Sequence, residues 1–189
     1  MRKLFLILTI AVTGFALFSC SEAKKEEQSS AQFDYTMRDI MKSMVEPRAD
    51  SLWNAVSTNV TDKGTETKAP ANDEEWAKIR AEAVTLNEAM NSVLMPGRRV
   101  ARPGEQAKDP KVELTPEQIE AMINMDRETF AKLARVLQDK VNLAVKAIDK
   151  KDVEGLSSAG GDIDAACETC HKKYWYPNDD KAGGNAEKK

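Results

Sequence analysis

Two cysteines three positions apart, followed at once by a histidine, form the pattern in this chain that is richest in chemistry. They stand in the run Cys167-Glu168-Thr169-Cys170-His171. On a helix, residues i and i+3 lie on the same side, so both sulfurs can reach the two vinyl groups of one porphyrin. The next residue then places an imidazole under the iron, and His171 is the only histidine in the sequence. The pattern therefore predicts a covalently attached c-type haem, with Cys167 and Cys170 as thioethers and His171 as the proximal iron ligand.

Other chemistry for these residues finds less support in the sequence. A structural zinc site needs a second pair of thiols or imidazoles, and the sequence has no such pair. A thioredoxin-like dithiol would stand near a βαβ unit, and no strand-rich segment flanks the motif. A structural disulfide between Cys167 and Cys170 is the simplest alternative.

The N-terminal residues predict export. A short basic start precedes an apolar run over residues 4–18, which is too short for a comfortable membrane span and has signal-peptide proportions. Residues 17–20 resemble a bacterial lipobox, which implies cleavage before Cys20 and acylation of its thiol. Ordinary signal-peptidase cleavage, for example after Ala23, is the alternative. We predict a signal peptide over residues 1–19 and a periplasmic location with a lipid anchor at Cys20.

Composition divides the rest of the chain. Residues 20–31 are polar and mixed in charge, which is typical of a flexible tether. Residues 32–176 suit one domain with one core, whereas residues 177–189 are rich in glycine and lysine and are predicted to be disordered. The net charge of −3 argues against nucleic acid as a partner.

Apolar residues recur every three or four positions in four segments, which predicts an all-α fold built from amphipathic helices. The first helix begins near Gln32, and Pro47 is expected to kink or interrupt it because proline lacks the N–H group that an interior turn uses. A further apolar stretch follows at residues 49–56. Residues 58–70 are expected to form a polar connection.

Capping signals place the remaining helices. Asn72 and Thr115 each begin a predicted capping box, at the start of the second and third helices. The third helix is expected to continue to Ile148, and Asp152 is expected to cap the fourth. The connection at residues 95–114 is long for a structureless loop, which indicates function or mobility. Four such helices favour an antiparallel four-helix bundle, with the haem near the C-terminal end of helix four.

Taken together, these features resemble the class II c-type cytochromes, the cytochrome c′ family. Family members similarly carry the haem motif at the C-terminal end of a four-helix bundle. A Gly-Asp pair precedes their motif, and a tyrosine stands three residues after the histidine; Gly161, Asp162 and Tyr174 occupy those positions here. The resemblance implies one cytochrome domain over residues 32–176, in which Tyr174 packs against the haem.

A methionine of the first helix is the candidate sixth ligand of the iron. In low-spin relatives such a methionine binds the iron, and Ile40-Met41-Lys42 is similar to the family's apolar-Met-Lys pattern. Since the sequence has no second histidine, a sixth protein ligand must be methionine, lysine or a weaker group. Met37, Met41 and Met44 share one helical face, and Met41 is the first choice among them. Methionine also fills irregular gaps in a core, so the stripe has a purely structural alternative.

Two functions follow from the resemblance. The first is an electron carrier with His–Met ligation that exchanges single electrons with redox partner proteins in the periplasm or membrane, without acting as an enzyme. The alternative is a five-coordinate protein that binds small gases such as nitric oxide. Gas-binding relatives often carry a basic residue four positions after the histidine, where this chain has Trp175. A homodimer is a further expectation, because family members often dimerise through the first helix.

Two other groups of residues have predicted roles. Trp53 and Trp76 are expected to anchor the core. Arg98, Arg99 and Arg102 are candidates to pair with the haem propionates, because guanidinium binds a carboxylate in bidentate fashion. The alternative for the three arginines is a solvated basic loop.

Overall fold

The computed structural model describes residues 35–178, which contain five helices and one β-hairpin. Helix α1 comprises Met37–Ile40, a π-helical segment Met41–Val45, and Glu46–Trp53. The other helices are α2 (Asp73–Leu94), α3 (Pro116–Met125), α4 (Arg127–Asp149) and α5 (Val153–Tyr174). The strands are β1 (Ser57–Thr61) and β2 (Gly64–Lys68).

Four of the helices pack as an antiparallel bundle. Contacts join α1 to α2, α2 to α4, α4 to α5 and α5 back to α1, so the four long helices close a ring. The α2–α4 pair shows the antiparallel order, because Arg80 bonds Asp149 at one end and Arg127 donates to the Leu94 carbonyl at the other. The predicted four-helix bundle is confirmed, with α3 as a short additional helix.

The helix starts follow the sequence closely. Asn72 accepts a hydrogen bond from the Glu75 amide, and Asp152 accepts one from the third residue of α5. At α3, the side chain of Thr115 accepts from the Gln118 amide while the Gln118 side chain accepts from the Thr115 amide. Each bond satisfies an amide that lacks an intrahelical partner, so these side chains fix where α2, α3 and α5 begin.

The core lies along the axis of the bundle. Side chains that the solvent does not reach include those of Leu86, Val93, Val141, Ala144 and Leu156. Trp76 is 7% exposed, as expected of a core anchor, but Trp53 is 54% exposed, so its predicted core position is wrong. Leu52 occupies the core position instead, and the next residue of a helix is rotated by about 100° toward solvent.

Helix α1 continues beyond Pro47. The π-helical segment ends just before the proline, and the Glu46 amide donates to the Met41 carbonyl, five residues back rather than four. The predicted interruption near Pro47 thus takes the form of one widened turn, which accommodates the missing proline N–H.

The predicted third helix is two helices, so its expected continuity is wrong. The break falls at Asp126, whose backbone leaves the helical region (φ −136°, ψ 63°). Its side chain accepts a hydrogen bond from the Thr129 amide at 3.1 Å and thereby caps α4. A short polar side chain that bonds nearby backbone competes with helix continuation, and apolar periodicity does not reveal that competition.

The polar connection after α1 forms a β-hairpin. Strands β1 and β2 pair antiparallel, with Thr61 opposite Gly64 at the turn. Gly64 has φ +127°, a conformation that other residues rarely adopt. Every strand position is exposed, so the hairpin adds no residues to the core and the bundle retains its all-α character.

The long connection between α2 and α3 is hydrogen-bonded to the bundle and packs against it. The amide of Met37 donates to the Arg99 carbonyl at 2.8 Å, and Val100 is buried. At its other end, the Leu114 amide donates to the Trp175 carbonyl. These bonds tie the connection to the start of α1 and to the end of α5, which explains a length that is unusual for a structureless loop.

Several predictions concern residues outside the described part of the chain. They are the signal peptide at 1–19, the tether at 20–31 with its anchor Cys20, and all but the first two residues of the tail at 177–189. No helix within residues 35–178 combines the length and the apolar character needed to cross a bilayer.

Candidate functional site

The two motif cysteines lie on the last turns of α5. Both are half-buried, both are free thiols, and both pack against the hydrophobic core. Burial raises the pKa of the Cys167 thiol to about 11, with a further contribution from the carboxylate of Asp164. Burial likewise raises the pKa of Cys170 to about 11. Both sulfurs are therefore neutral thiols at pH 7 in the chain alone, available for thioether formation.

His171 is half-buried at the same end of α5. Its ring lies 6.2 Å from the Trp175 ring and 6.0 Å from the Tyr176 ring, measured between centroids. Burial lowers the pKa of His171, and the carboxylates of Glu168 and Glu46 partly oppose this effect. Iron binds the neutral imidazole, so burial favours the form that a proximal ligand requires.

One cavity opens beside the motif, between α1 and α5. Its volume is about 240 Å³. We call it the acidic cavity because three carboxylates border it and no Lys or Arg does. Its lining consists of Met41, Val45, Glu46, Ala49, Asp50, Trp53, Ile163, Asp164, Cys167 and His171.

A second cavity, of about 220 Å³, also borders His171. Three cations border it against a single carboxylate, so we call it the basic cavity. Its lining consists of Arg38, Met41, Lys42, Lys108, Glu113, His171, Trp175 and Tyr176. Met41 and His171 border both cavities and therefore lie where the two meet.

The three candidate methionines of α1 have different surroundings. Met37 is 1% exposed and belongs to the core. Met44 is half-buried and borders neither cavity, whereas Met41 borders both of them together with His171. The structure thus places the first-choice methionine beside the predicted proximal ligand. Coordination of iron by Met41 stays a prediction.

The residues around the motif fit a covalently held haem. Cys167 borders the acidic cavity, and aliphatic walls there suit the apolar ring. The cations Arg38, Lys42 and Lys108 of the basic cavity match the charge of two propionates. The sequence patterns did not single out these three cations as propionate partners. Arg38 and Lys42 stand on either side of Met41 and are four residues apart, which is about one helical turn.

The arginines proposed from the sequence for the propionates lie elsewhere. Arg98 donates to the backbone carbonyls of Ser92 and Tyr35. Arg102 binds the Asp39 carboxylate through contacts of 3.0 and 3.1 Å. Neither of these arginines, nor Arg99, borders the acidic or the basic cavity. Their role in the structure is to hold the α2–α3 connection against the start of α1.

Tyr174 is 2% exposed and joins α5 to α4. Its ring meets Phe130 edge-on, with centroids 5.5 Å apart, and its hydroxyl donates to the Asp126 carbonyl at 3.4 Å. Burial raises the pKa of Tyr174 to about 12. Tyr174 borders neither cavity, so its predicted haem contact stays a prediction. Its contacts with α4 fix the turn of α5 that carries His171.

The chain folds back around His171 after α5 ends. The amides of Trp175 and Tyr176 both donate to the His171 carbonyl, at 2.7 and 3.1 Å. The Tyr176 hydroxyl donates to the carboxylate of Glu168, and this bond, with Lys172 nearby, lowers the pKa of that carboxyl group. The sequence shows the aromatic cluster but gives no signal for this bond, which holds the Tyr176 ring beside the imidazole.

Comparison with known proteins gives a family match in the part of the chain that carries the motif. Residues 104–175 match the family model described as Cytochrome C'. No curated protein matches the sequence significantly.

Solved structures of similar fold include recombinant native cytochrome c prime from Alcaligenes xylosoxidans, at 21% identity and a TM-score of 0.45 over 77% of this chain and 99% of that one. A nitric oxide complex of a mutant of the same protein has 21% identity and a TM-score of 0.47, with the same coverage. These values are too low for residue roles to be carried over.

Proposed function

We propose that this chain, whose residues 104–175 match the Cytochrome C' family model, is a haem protein of that family whose iron binds small neutral gases such as nitric oxide. The family carries covalently attached c-type haem. In this chain Cys167 and Cys170 would hold the haem and His171 would bind the iron. When bound, the haem supplies an iron centre that takes up a diatomic ligand or a single electron.

The observation that carries the gas-binding proposal is the character of the α1 wall beside His171. Met41, Val45 and Ala49 border the acidic cavity there, and Ile163 of α5 completes the apolar part of the wall. The apolar part of the wall tolerates a neutral diatomic molecule that needs no hydrogen bond, and the carboxylates of Glu46, Asp50 and Asp164 on the same cavity disfavour anionic ligands.

Electron transfer is the second candidate, and the position of Met41 favours it. A thioether that borders the same two cavities as His171 is suitably placed to serve as a sixth ligand. His–Met ligation would raise the reduction potential and suit exchange of single electrons with protein partners. In both cases we propose binding or electron carriage without catalytic turnover, since the only histidine of the sequence is assigned to the iron.

The two candidates are separated by titrating the ferrous holoprotein with nitric oxide and carbon monoxide, beside the variant Met41→Ala. A gas binder takes up both gases readily in the wild type, and Met41→Ala changes the binding rate only modestly. An electron carrier with a Met41–iron bond binds them slowly, shows a low-spin spectrum, and becomes high-spin and fast-binding in Met41→Ala. Failure of both gases to bind either protein would contradict the gas-binding proposal.

We further propose that the chain is exported and tethered to the membrane through Cys20, where it meets redox partners, and that it forms a homodimer. The apolar run and the lipobox-like residues before Cys20 support the tether. Cell fractionation of wild type and Cys20→Ala tests it. We expect the wild type in the membrane fraction and the variant in the soluble periplasm, and an unchanged distribution would contradict the tether.

A further inference from the structure

Helix α1 carries one residue more than its packing needs. Met37 and Ile40 are buried three positions apart, and Val45 and Leu52 are buried seven apart, which are regular helical intervals. The interval between Ile40 and Val45 is five, one longer than a regular turn allows. The π-helical segment coincides with this interval and absorbs the extra residue, so both halves of α1 face the core.

The widened turn has an identifiable support. In a regular helix the amide of residue 47 would donate to the Ser43 carbonyl, but Pro47 has no N–H group. The Arg48 guanidinium donates to that carbonyl instead, through Nη1 at 3.0 Å. Its Nε atom is enclosed by protein and lies 3.4 Å from the Glu82 carboxylate of α2. Arg48 therefore links the widened turn to the neighbouring helix.

The widened turn also lies at the candidate site. Its first residue, Met41, borders both cavities with His171, and its last residue, Val45, borders the acidic cavity. Arg48 borders neither cavity, and its hydrogen bond to the Ser43 carbonyl connects it to the backbone of the turn that carries Met41.

We propose that Arg48 is a positioning residue which, through the Ser43 carbonyl, maintains the π-helical turn and so keeps Met41 beside His171, where the haem iron is bound. The inference rests on the haem binding proposed above. It holds for either function, because Met41 must be held in place both as an iron ligand and as a wall against which a gas molecule packs.

Arg48→Met removes the donors and keeps an extended apolar side chain, whereas Arg48→Lys restores one donor. Arg80→Met is the matched control, because it removes an exposed ion pair, to Asp149, on α2 and α4. For each holoprotein we would record the ferrous absorption spectrum and the carbon monoxide association rate. We expect about a tenfold change in that rate or in the low-spin fraction for Arg48→Met, with values near wild type for Arg48→Lys and Arg80→Met.

A second readout needs no haem. Hydrogen exchange of the Glu46 amide, which donates to the Met41 carbonyl, reports directly on the turn. We expect this amide to exchange about tenfold faster in Arg48→Met and at the wild-type rate in Arg80→Met. If the wild type failed to acquire haem, the proposed function would fail, while this measurement would still decide whether Arg48 supports the turn.

Deletion of Ser43 tests the same turn by another route, and it replaces Arg48→Met if that variant does not fold. The deletion restores regular spacing of the buried residues, so α1 becomes α-helical throughout. We expect a shift of the spectrum and of the carbon monoxide rate, with haem still attached. Wild-type spectra, rates and Glu46 amide exchange in Arg48→Met would overturn the role of Arg48, and wild-type spectra and rates in the deletion variant would overturn the role of the turn.

Discussion

Gly160 packs directly against the backbone of Leu52, where a β-carbon on Gly160 would lie 3.3 Å from the Leu52 carbonyl oxygen. This approach holds α1 and α5 together at one end of their contact. Toward the other end, near Cys167 and His171, the same two helices border the acidic cavity. Because Gly160 has no side chain, α1 and α5 approach each other closely there, whereas near Cys167 and His171 the acidic cavity separates them.

Gly160→Ala is expected to lower the free energy of unfolding by about 1 kcal/mol. The added methyl group gains helix propensity but must displace backbone atoms, and overpacking of that kind costs about 1–3 kcal/mol. Gly161 is the control, because a β-carbon there meets no atom within 4 Å. Gly161→Ala should stabilise the helix by about 1 kcal/mol. Urea unfolding of both variants measures the difference, and equal effects would contradict the close approach.

Tyr174→Ala is expected to lower the free energy of unfolding by about 3–5 kcal/mol, because it empties a buried aromatic site against Phe130. Tyr174→Phe should cost about 1 kcal/mol, since it removes only the hydrogen bond to Asp126. Both variants should be compared with and without haem, using Cys167→Ser/Cys170→Ser as the haem-free background. A larger loss in the holoprotein would support the predicted haem contact, and an equal loss would rule it out.

The start of α1 is expected to depend on pH through Asp39. A hydrogen bond from the Thr36 amide, with Arg102 nearby, holds the pKa of Asp39 below its ordinary value of 3.8. Because the pKa of Asp39 is lower in the folded state than in the unfolded state, its carboxylate stabilises the fold at pH values above 3.8. This stabilisation is lost as the pH falls through the lowered pKa. Wild type and Asp39→Ala should thus differ in unfolding free energy at neutral pH, and the difference should shrink as the pH falls through the lowered pKa of Asp39. A difference that stays constant with pH would contradict this role.

Substitutions of Trp53 and Trp76 should have very different effects. Trp76→Ala removes a side chain that is 7% exposed and should cost about 3–5 kcal/mol of unfolding free energy. Trp53→Ala removes one that is 54% exposed and should cost about 1 kcal/mol or less. Thermal unfolding of the two variants tests the surface position of Trp53, and similar losses would contradict it.

Structural features that depend on residues close together in the sequence were predicted correctly. The motif cysteines and His171 lie together on α5 because residue spacing on a helix fixes their relative positions. The caps at Asn72, Thr115 and Asp152 depend on contacts within a few residues, and each side chain caps its helix. The predicted reciprocal capping box forms at Thr115, whereas at Asn72 the Glu75 carboxylate accepts from the Ala71 amide instead. The bundle followed from the apolar periodicity of its helices.

Two kinds of feature were not predicted: those in which a side-chain hydrogen bond competes with helix continuation, and those that depend on contacts between residues far apart in the sequence. Apolar residues at 37, 40, 41, 44 and 45 suit a regular helix, so the π-helical turn becomes visible only from which of them are buried. The break at Asp126 depends on a side-chain bond that overrides periodicity. Lys108 reaches the basic cavity only because the α2–α3 connection folds back on α1.

A haem held through thioethers of Cys167 and Cys170 stays on the polypeptide when the protein is denatured. The intact mass of the denatured protein, produced in cells that attach c-type haem, therefore tests its covalent attachment. We predict that the wild type is heavier than Cys167→Ser/Cys170→Ser produced in the same cells by the mass of one haem plus the mass difference of the two substitutions, since any N-terminal processing and acylation are common to both proteins. A wild-type mass without haem, or one that shows only an oxidised Cys167–Cys170 pair, would contradict covalent attachment.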